Sequence, residues 1–227
     1  MIQKKIVVAI DGPAGAGKST VAKMVAEALG LRVLDTGAMY RCVALLASRA
    51  GLSAEQGEQA ANLAREADIG FEEAQTQRVI LNGEDVSECI RTPEMSNLAS
   101  ALSAFPAVRQ VLVEQQKKII ESGGFVLEGR DTTTVIAPNA EVKVYLTASI
   151  EERANRRHKE LAERGDVVDY DALVKQIAER DARDMNREES PLRKAPGALA
   201  IETYGMSPQE VAAKIIEAAQ AVGNKQT

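Results

Sequence analysis

Short apolar runs rich in β-branched residues alternate along the chain with longer stretches in which apolar positions return every three or four residues. KKIVVAID, residues 4–11, is the first such run and reads as a strand buried on both faces. Lys18 to Leu29 then reads as a helix, with Val21, Met24, Val25 and Leu29 along one face and Gly30 as its stop. LRVLD, residues 31–35, is a second strand, and Tyr40 to Ala50 a second helix ended by Gly51. A strand, loop, helix and strand in this order predict an α/β fold with a parallel sheet and helices on both sides.

The rhythm then changes. Ala54 to Ala67 is helical in pattern, but residues 69 to 92 have strand character around Asn82-Gly83, a strong hairpin signal, and read as a small antiparallel insert. Helical spacing resumes from Glu94, breaks at Pro106 and runs on to Ser122, where Gly123-Gly124 ends it. FVLEGRD and EVKVYLTAS are two further buried strands. Ser149 and Glu152 have capping-box spacing at the head of a charged helix that ends near Gly165. Tyr170 to Asp184 is another helix, ALAIET a last strand, and Ser207-Pro208-Gln209-Glu210 the start of a final amphipathic helix. The closing GNKQT reads as a disordered tail.

Composition sets limits on this picture. A chain of 227 residues can bury one good core with room for a small inserted subdomain. A formal net charge of −5 argues against a non-specific partner for nucleic-acid polymers, which need a basic face. Cys42 and Cys89 lie far apart with no CxxC spacing; reduced, buried thiols of a cytosolic protein are the simpler reading, a disulfide the other. His158 is the only histidine, which removes zinc sites and a Ser-His-Asp triad. The apolar run IVVAI is too short for a signal peptide or a membrane span, so the expectation is a soluble cytoplasmic protein with no membrane partner.

Chemistry enters at residues 9–20, AIDGPAGAGKST. Gly12, Gly17, Lys18 and Ser19 fit G-x-x-x-x-G-K-[ST] between a strand and a helix. Inward-facing backbone N–H groups of Gly12, Pro13, Ala14, Gly15, Ala16 and Gly17 (proline excepted), with Thr20 and the helix N-terminus behind them, would cradle a β-phosphate. Lys18 would reach the β- and γ-phosphates, and Ser19 would ligate Mg²⁺. The loop leaves open whether the phosphate goes to water, to a switch cycle or to a second substrate. No N-K-x-D segment follows a strand, which argues against a GTPase. Glu128 and Asp131 could serve as Walker-B acids, but nothing in the chain suggests force transmission.

Arginines are the stronger clue. Moving a phosphoryl group between two anions needs cations that cancel repulsion, and guanidinium is planar, always charged and bidentate. Arg41 follows the second strand and Arg130 ends a later one, where ligands of α/β sheets gather. Arg109 opens a helix, Arg153, Arg156 and Arg157 share a helix face, and Arg180, Arg183 and Arg187 space out ERDARDMNR.

The ordered set IDGPAGAGKST, LDTGAMYR, ILNGEDVSECIRTPE, SALSAFPAVR, EGRDTTTV, EERANRR and ERDARDMNR resembles the bacterial-type cytidylate kinases over nearly the whole chain. The resemblance implies a P-loop nucleoside monophosphate kinase fold with a small antiparallel β insert and a helical lid. It implies one kinase domain: a core of about 1–60, 96–150 and 185–227, a monophosphate-binding insert of about 61–95 and a lid of about 151–184. The implied reaction moves phosphate from ATP to CMP or dCMP, in line, making ADP and (d)CDP in pyrimidine nucleotide metabolism. Positions matching the family's place Ser100, Arg109 and Arg187 on the cytosine and Asp184 on the sugar hydroxyl. Arg41, Arg130 and Arg180 match residues that hold the CMP phosphate, and Thr36 and Asp131 residues near the base and its arginines. Arg153, Arg156 and Arg157 fall in the lid over ATP; Lys18, Arg130, Arg153, Arg157 and Arg180 would carry catalysis, and Arg156 would bind ATP. The resemblance also implies a monomer.

Three positions depart from the family's usual wording. Ala14 stands where serine is common, Thr36 replaces serine, and GRDTTTV replaces the commoner GRDIGTV. Another small-molecule kinase, acting on shikimate or dephospho-coenzyme A, is the neighbouring alternative. A nucleotide-dependent switch with no acceptor is the alternative from another class.

Overall fold

The computed structural model describes residues 5–72, 77–163 and 165–223. In chain order, β1 (Lys5–Asp11) leads to α1 (Lys18–Leu29), β2 (Arg32–Asp35), α2 (Thr36–Arg49) and α3 (Gly57–Glu66). Then come β3 (Ile69–Glu72), β4 (Arg78–Leu81), β5 (Glu84–Asp85) and a 3₁₀ turn at Cys89–Arg91. After them follow α4 (Pro93–Leu102), α5 (Pro106–Ile120), β6 (Gly123–Gly129), a π-helical turn at Thr132–Ile136 and β7 (Val142–Thr147). The chain closes with α6 (Ile150–Glu163), α7 (Tyr170–Asn186), β8 (Leu199–Glu202) and α8 (Pro208–Gly223). Residues 224–227, most of the tail expected to be disordered, lie outside the described residues, as do residues 73–76 of the antiparallel insert.

Contacts divide the chain into two compact units. The first, Met1–Val33 with Ile120–Thr227, holds most of a sheet of order β2-β6-β1-β7-β8. β1 runs parallel to β6 and to β7, and β7 parallel to β8, as alternating strands and helices require. The register sets Asp11 beside Gly129 and Tyr145, so the segments that follow β1 and β6 leave the sheet side by side. Val8 and Ile10 of β1, Val144 and Leu146 of β7, Val21 and Val25 of α1, and Val211 and Ile215 of α8 join in one apolar core. Ala154, Leu161, Leu173 and Ile177 form a smaller core where α6 meets α7.

The second unit, Leu34–Ile119, gathers α3, α4 and the 3₁₀ turn around α2. α2 is alanine-rich and buried along most of its length, which lets three neighbours approach it closely. β3, β4 and β5 form the antiparallel sheet expected from the sequence. Asn82 and Gly83 both take positive φ, 51° and 84°, between Leu81 and Glu84, as a hairpin turn of this composition demands. Among the described residues no helix is long and apolar enough to cross a membrane.

Three expectations from the apolar pattern shift. α2 begins at Thr36, not Tyr40, because the Asp35 carboxylate accepts from the Ala38 N–H at 2.9 Å and caps the helix early. α3 begins at Gly57, not Ala54, because Gln56 turns back to Ser53: its side-chain oxygen accepts from the Ser53 N–H at 2.8 Å. Gly123 and Gly124 open β6, with φ of 67° and 80°, and the preceding helix stops at Ile120.

Candidate active site

In the first unit, residues 12–17 leave β1 and enter α1 as a tight loop. Gly12 lies against the Leu146 backbone oxygen so closely that a Cβ there would collide with it. Gly17 is the N-cap, with φ of 87° and no side-chain cap, so the N-terminus of α1 is open to an anion. Lys18 is buried, and its Nζ donates to the Pro13 oxygen at 2.7 Å. Burial, with the charges of Arg130 and Arg180, pulls the Lys18 ammonium down to about 7, against the opposing pull of Glu128 and Asp11. Ser19 and Thr20 are exposed on the first turn of the helix.

Arg130 leaves β6 and donates through Nε to Asp184 Oδ2 at 2.8 Å. Burial opposes the Arg130 charge, but Asp184, with Glu128 and Asp181, more than offsets it and holds the guanidinium above its usual value. Burial likewise opposes the Asp184 charge, and Arg130, Arg180 and Arg187 together keep its carboxyl below the usual range. Arg187 sits 3.8 Å from Asp184 and 3.9 Å from Asp131, and donates to the Ser190 oxygen at 2.6 and 2.8 Å. Lys18, Arg130, Arg180, Asp131, Asp184 and Arg187 are thus one electrostatic neighbourhood assembled from β6, α7 and the loop before α1.

The helix that the resemblance assigns to a lid carries a second set. Arg153 is buried and fully engaged: Nε donates to Ala148 O at 3.0 Å, one terminal nitrogen to Ala14 O at 3.1 Å and the other to Asp181 at 2.6 Å. It therefore holds the middle of the phosphate loop by its carbonyl. Arg156 donates to the Thr203 hydroxyl and carbonyl, both at 3.0 Å, and to Glu152 at 2.9 Å. Arg157 pairs with Glu160 at 2.8 Å.

Asp11, at the end of β1, is fully buried. Oδ1 accepts from the Thr132 N–H at 2.8 Å and hydroxyl at 2.7 Å; Oδ2 accepts from the Thr133 N–H at 2.8 Å and hydroxyl at 2.6 Å. Burial pushes the Asp11 carboxyl up, and the four hydrogen bonds oppose that shift.

In the second unit, Arg41 of α2 donates to the capping Asp35 at 2.9 Å, and its Nε is buried without an acceptor. A buried guanidinium N–H left in this way suits an incoming anion. Thr36 is buried at the head of the same helix. Ser100 is buried in α4, and its carbonyl accepts from the Ser103 hydroxyl at 2.8 Å. Arg109 is buried in α5, donates to the Ser103 oxygen at 3.3 Å and lies 5.4 Å from the centre of the Tyr40 ring. Ser100 and Arg109 are therefore neighbours through Ser103.

The model of the family described as cytidylate kinase matches residues 8–221. The chain belongs to the cytidylate kinase family. It is 48% identical over 211 residues to a cytidylate kinase of Carboxydothermus hydrogenoformans, covering 92% of this chain and 95% of that one. It is 47% identical over 220 residues to a cytidylate kinase of Bacillus subtilis, covering 96% and 98%. An uncharacterized protein from Eubacterium ventriosum shares the fold, with a TM-score of 0.55 and 12% identity over 96% of this chain and 99% of that one. As a cytidylate kinase family member the chain is a nucleoside monophosphate kinase, with ATP as the family's phosphate donor.

Asp35, Ser103, Tyr40 and Asp181 contact residues that the sequence puts forward for the site, and Asp11 grips the two threonines that follow Asp131; the sequence put forward none of these five. Asp35 had a local signal, an acid directly before a helix start. Ser103 bonds locally, to Ser100 and Arg109, whereas Asp11, Tyr40 and Asp181 meet their partners across long sequence separations, with Asp11 and Thr132 lying 121 positions apart.

Proposed function

We propose that this protein carries the γ-phosphoryl group of ATP to the phosphate of CMP or dCMP using the residues assigned above. The observation that carries the reading is the neighbourhood of Lys18, Arg130 and Arg180: a lysine depressed by its burial first and by two nearby guanidinium charges second, beside a loop shaped for phosphate. Such crowding is costly without an anion and favourable with one.

Each group then has a task. The loop from Gly12 to Thr20, with Lys18, holds the triphosphate, and burial of Lys18 makes its proton most secure when phosphate oxygens surround it. Ser19, exposed on the first turn, would hold Mg²⁺, which supplies charge neutralisation between the terminal phosphates when bound. Arg41, Arg130 and Arg180 orient the CMP phosphate. Its oxygen is already anionic, so no general base is needed, and positioning and charge cover dominate. Cytosine offers O2 and N3 as acceptors and N4 as a donor; Ser100, Arg109 and Arg187 answer the acceptors, Asp131 and Thr36 are assigned to the base and its arginines, and Asp184 takes the sugar hydroxyl. Arg153 steadies the loop through Ala14, and with Arg156 and Arg157 belongs to the segment, about 151–184, that screens ATP from water. Residues of about 61–95 form the monophosphate-binding insert on the core of about 1–60, 96–150 and 185–227. The protein works as a cytoplasmic monomer.

The test is to mix the purified protein with Mg-ATP and each nucleoside monophosphate in a coupled assay. CMP and dCMP are expected to be the best acceptors. Preference for UMP or AMP overturns the base assignment, and equal ADP release with no acceptor overturns the transferase reading.

A further inference from the structure

We propose that Asp11, Thr132 and Thr133 form a positioning clamp that holds the Arg130–Asp131 segment in register with the start of the phosphate loop. The contacts are complete and specific. Each carboxylate oxygen takes one backbone N–H and one hydroxyl, all four between 2.6 and 2.8 Å, and each oxygen serves one threonine alone. A carboxylate gripped at both oxygens by successive residues can neither rotate nor slide, so the two segments are held in one relative position.

What the clamp joins gives it a function. Asp11 is followed directly by Gly12, the first residue of the cradle, and Thr132 directly follows Asp131. The strands carrying both segments are already paired, with Asp11 beside Gly129. Beyond Gly129 the ladder ends and the chain enters the π-helical turn, closed by the Ala137 N–H to the Thr132 oxygen at 2.8 Å. Such turns are locally weak, and one at a functional site needs its shape fixed from outside. The clamp does this from the side of the phosphate loop. None of the three residues is assigned a nucleotide contact, so they act through Arg130 and the inference rests on the role proposed for Arg130.

The experiment uses the full-length protein, with kcat, KM for both nucleotides and thermal melting measured for each variant. Thr132→Val with Thr133→Val removes the two hydroxyls at nearly constant shape; Thr132→Ser with Thr133→Ser keeps them. The valine pair should lower kcat on the order of tenfold with both KM values within about threefold, since small misplacements of a charged group act on the transition state first. The serine pair should recover most of that loss. A valine pair within about twofold of the parent, a serine pair as slow as the valine pair, or a loss seen only in melting overturns the clamp. If the valine pair fails to fold, Thr133→Val against Thr133→Ser carries the same comparison. Arg130→Lys separates the two claims. If it turns over at the parental rate, the role of Arg130 falls and the clamp with it; if it is slow and the valine pair is not, only the clamp falls.

Discussion

Asp11 and Asp35 are each the last residue of a strand, one in the first unit and one in the second, and each is buried. Their partners differ. Asp11 meets two backbone N–H groups and two hydroxyls, all neutral, and fixes the path of a backbone turn. Asp35 gives one oxygen to the N–H of Ala38 and the other to the guanidinium of Arg41, fixing a helix start and the aim of one cation. An acid at a strand end can thus serve the frame or the ligand, and its donors tell which.

Exchange for the amide should separate these uses. Asp11→Asn keeps one acceptor but turns an NH₂ toward a buried N–H, at a cost of about 2–3 kcal/mol. In a chain of 227 residues that lowers the melting temperature by roughly 5–10 °C, checked by calorimetry. Asp35→Asn retains a good helix cap and loses only the ion pair, so melting should move by less than about 1 kcal/mol. The KM for CMP should then rise about tenfold, as a charge-assisted bond of about 1.4 kcal/mol would give. If Asp35→Asn melts as low as Asp11→Asn, the contrast is wrong.

Lys18 sharpens the comparison through pH, because Asp11 is among the charges acting on it. Its pKa is about 7 folded against 10.5 for the free side chain. Between those values the folded chain has shed a proton that the unfolded chain keeps, so this group's contribution to stability rises with pH and is flat below about 7. Denaturant titrations at pH 7, 8 and 9 should show a rise that Lys18→Met lacks, and calorimetry in buffers of different ionisation heat should show proton uptake on Mg-ATP binding at pH 8. The smallest effect concerns Cys42, whose thiol burial pushes up to about 12, while Cys89 is free but exposed, against the burial expected of both. A disulfide reagent at pH 8 should label Cys89 within minutes and leave Cys42 until the protein unfolds; labelling of both at once would mean the second unit opens readily.

Much of the frame was legible because it is local. α1 spans Lys18–Leu29 as its apolar face predicts, and the Asn82-Gly83 hairpin forms where the dipeptide asks for it. The phosphate loop is equally local, since one run of residues supplies strand end, glycines, lysine and helix start. The rest depends on distant partners. Arg130 and Asp184 are 54 positions apart, and no periodicity brings them together. The π-helical turn has no local signal for the same reason, since the Asp11 carboxylate set against it lies 121 positions from Thr132. The resemblance assigns Arg153 to the lid over ATP, and only the fold reveals its hold on the Ala14 oxygen.

The closeness of Gly12 to the Leu146 oxygen has a genetic consequence. Every missense change of a glycine codon adds at least one carbon at that position, so none can evade the collision. Whatever drift the neighbouring codons permit, this one can change only silently unless β7 moves as well.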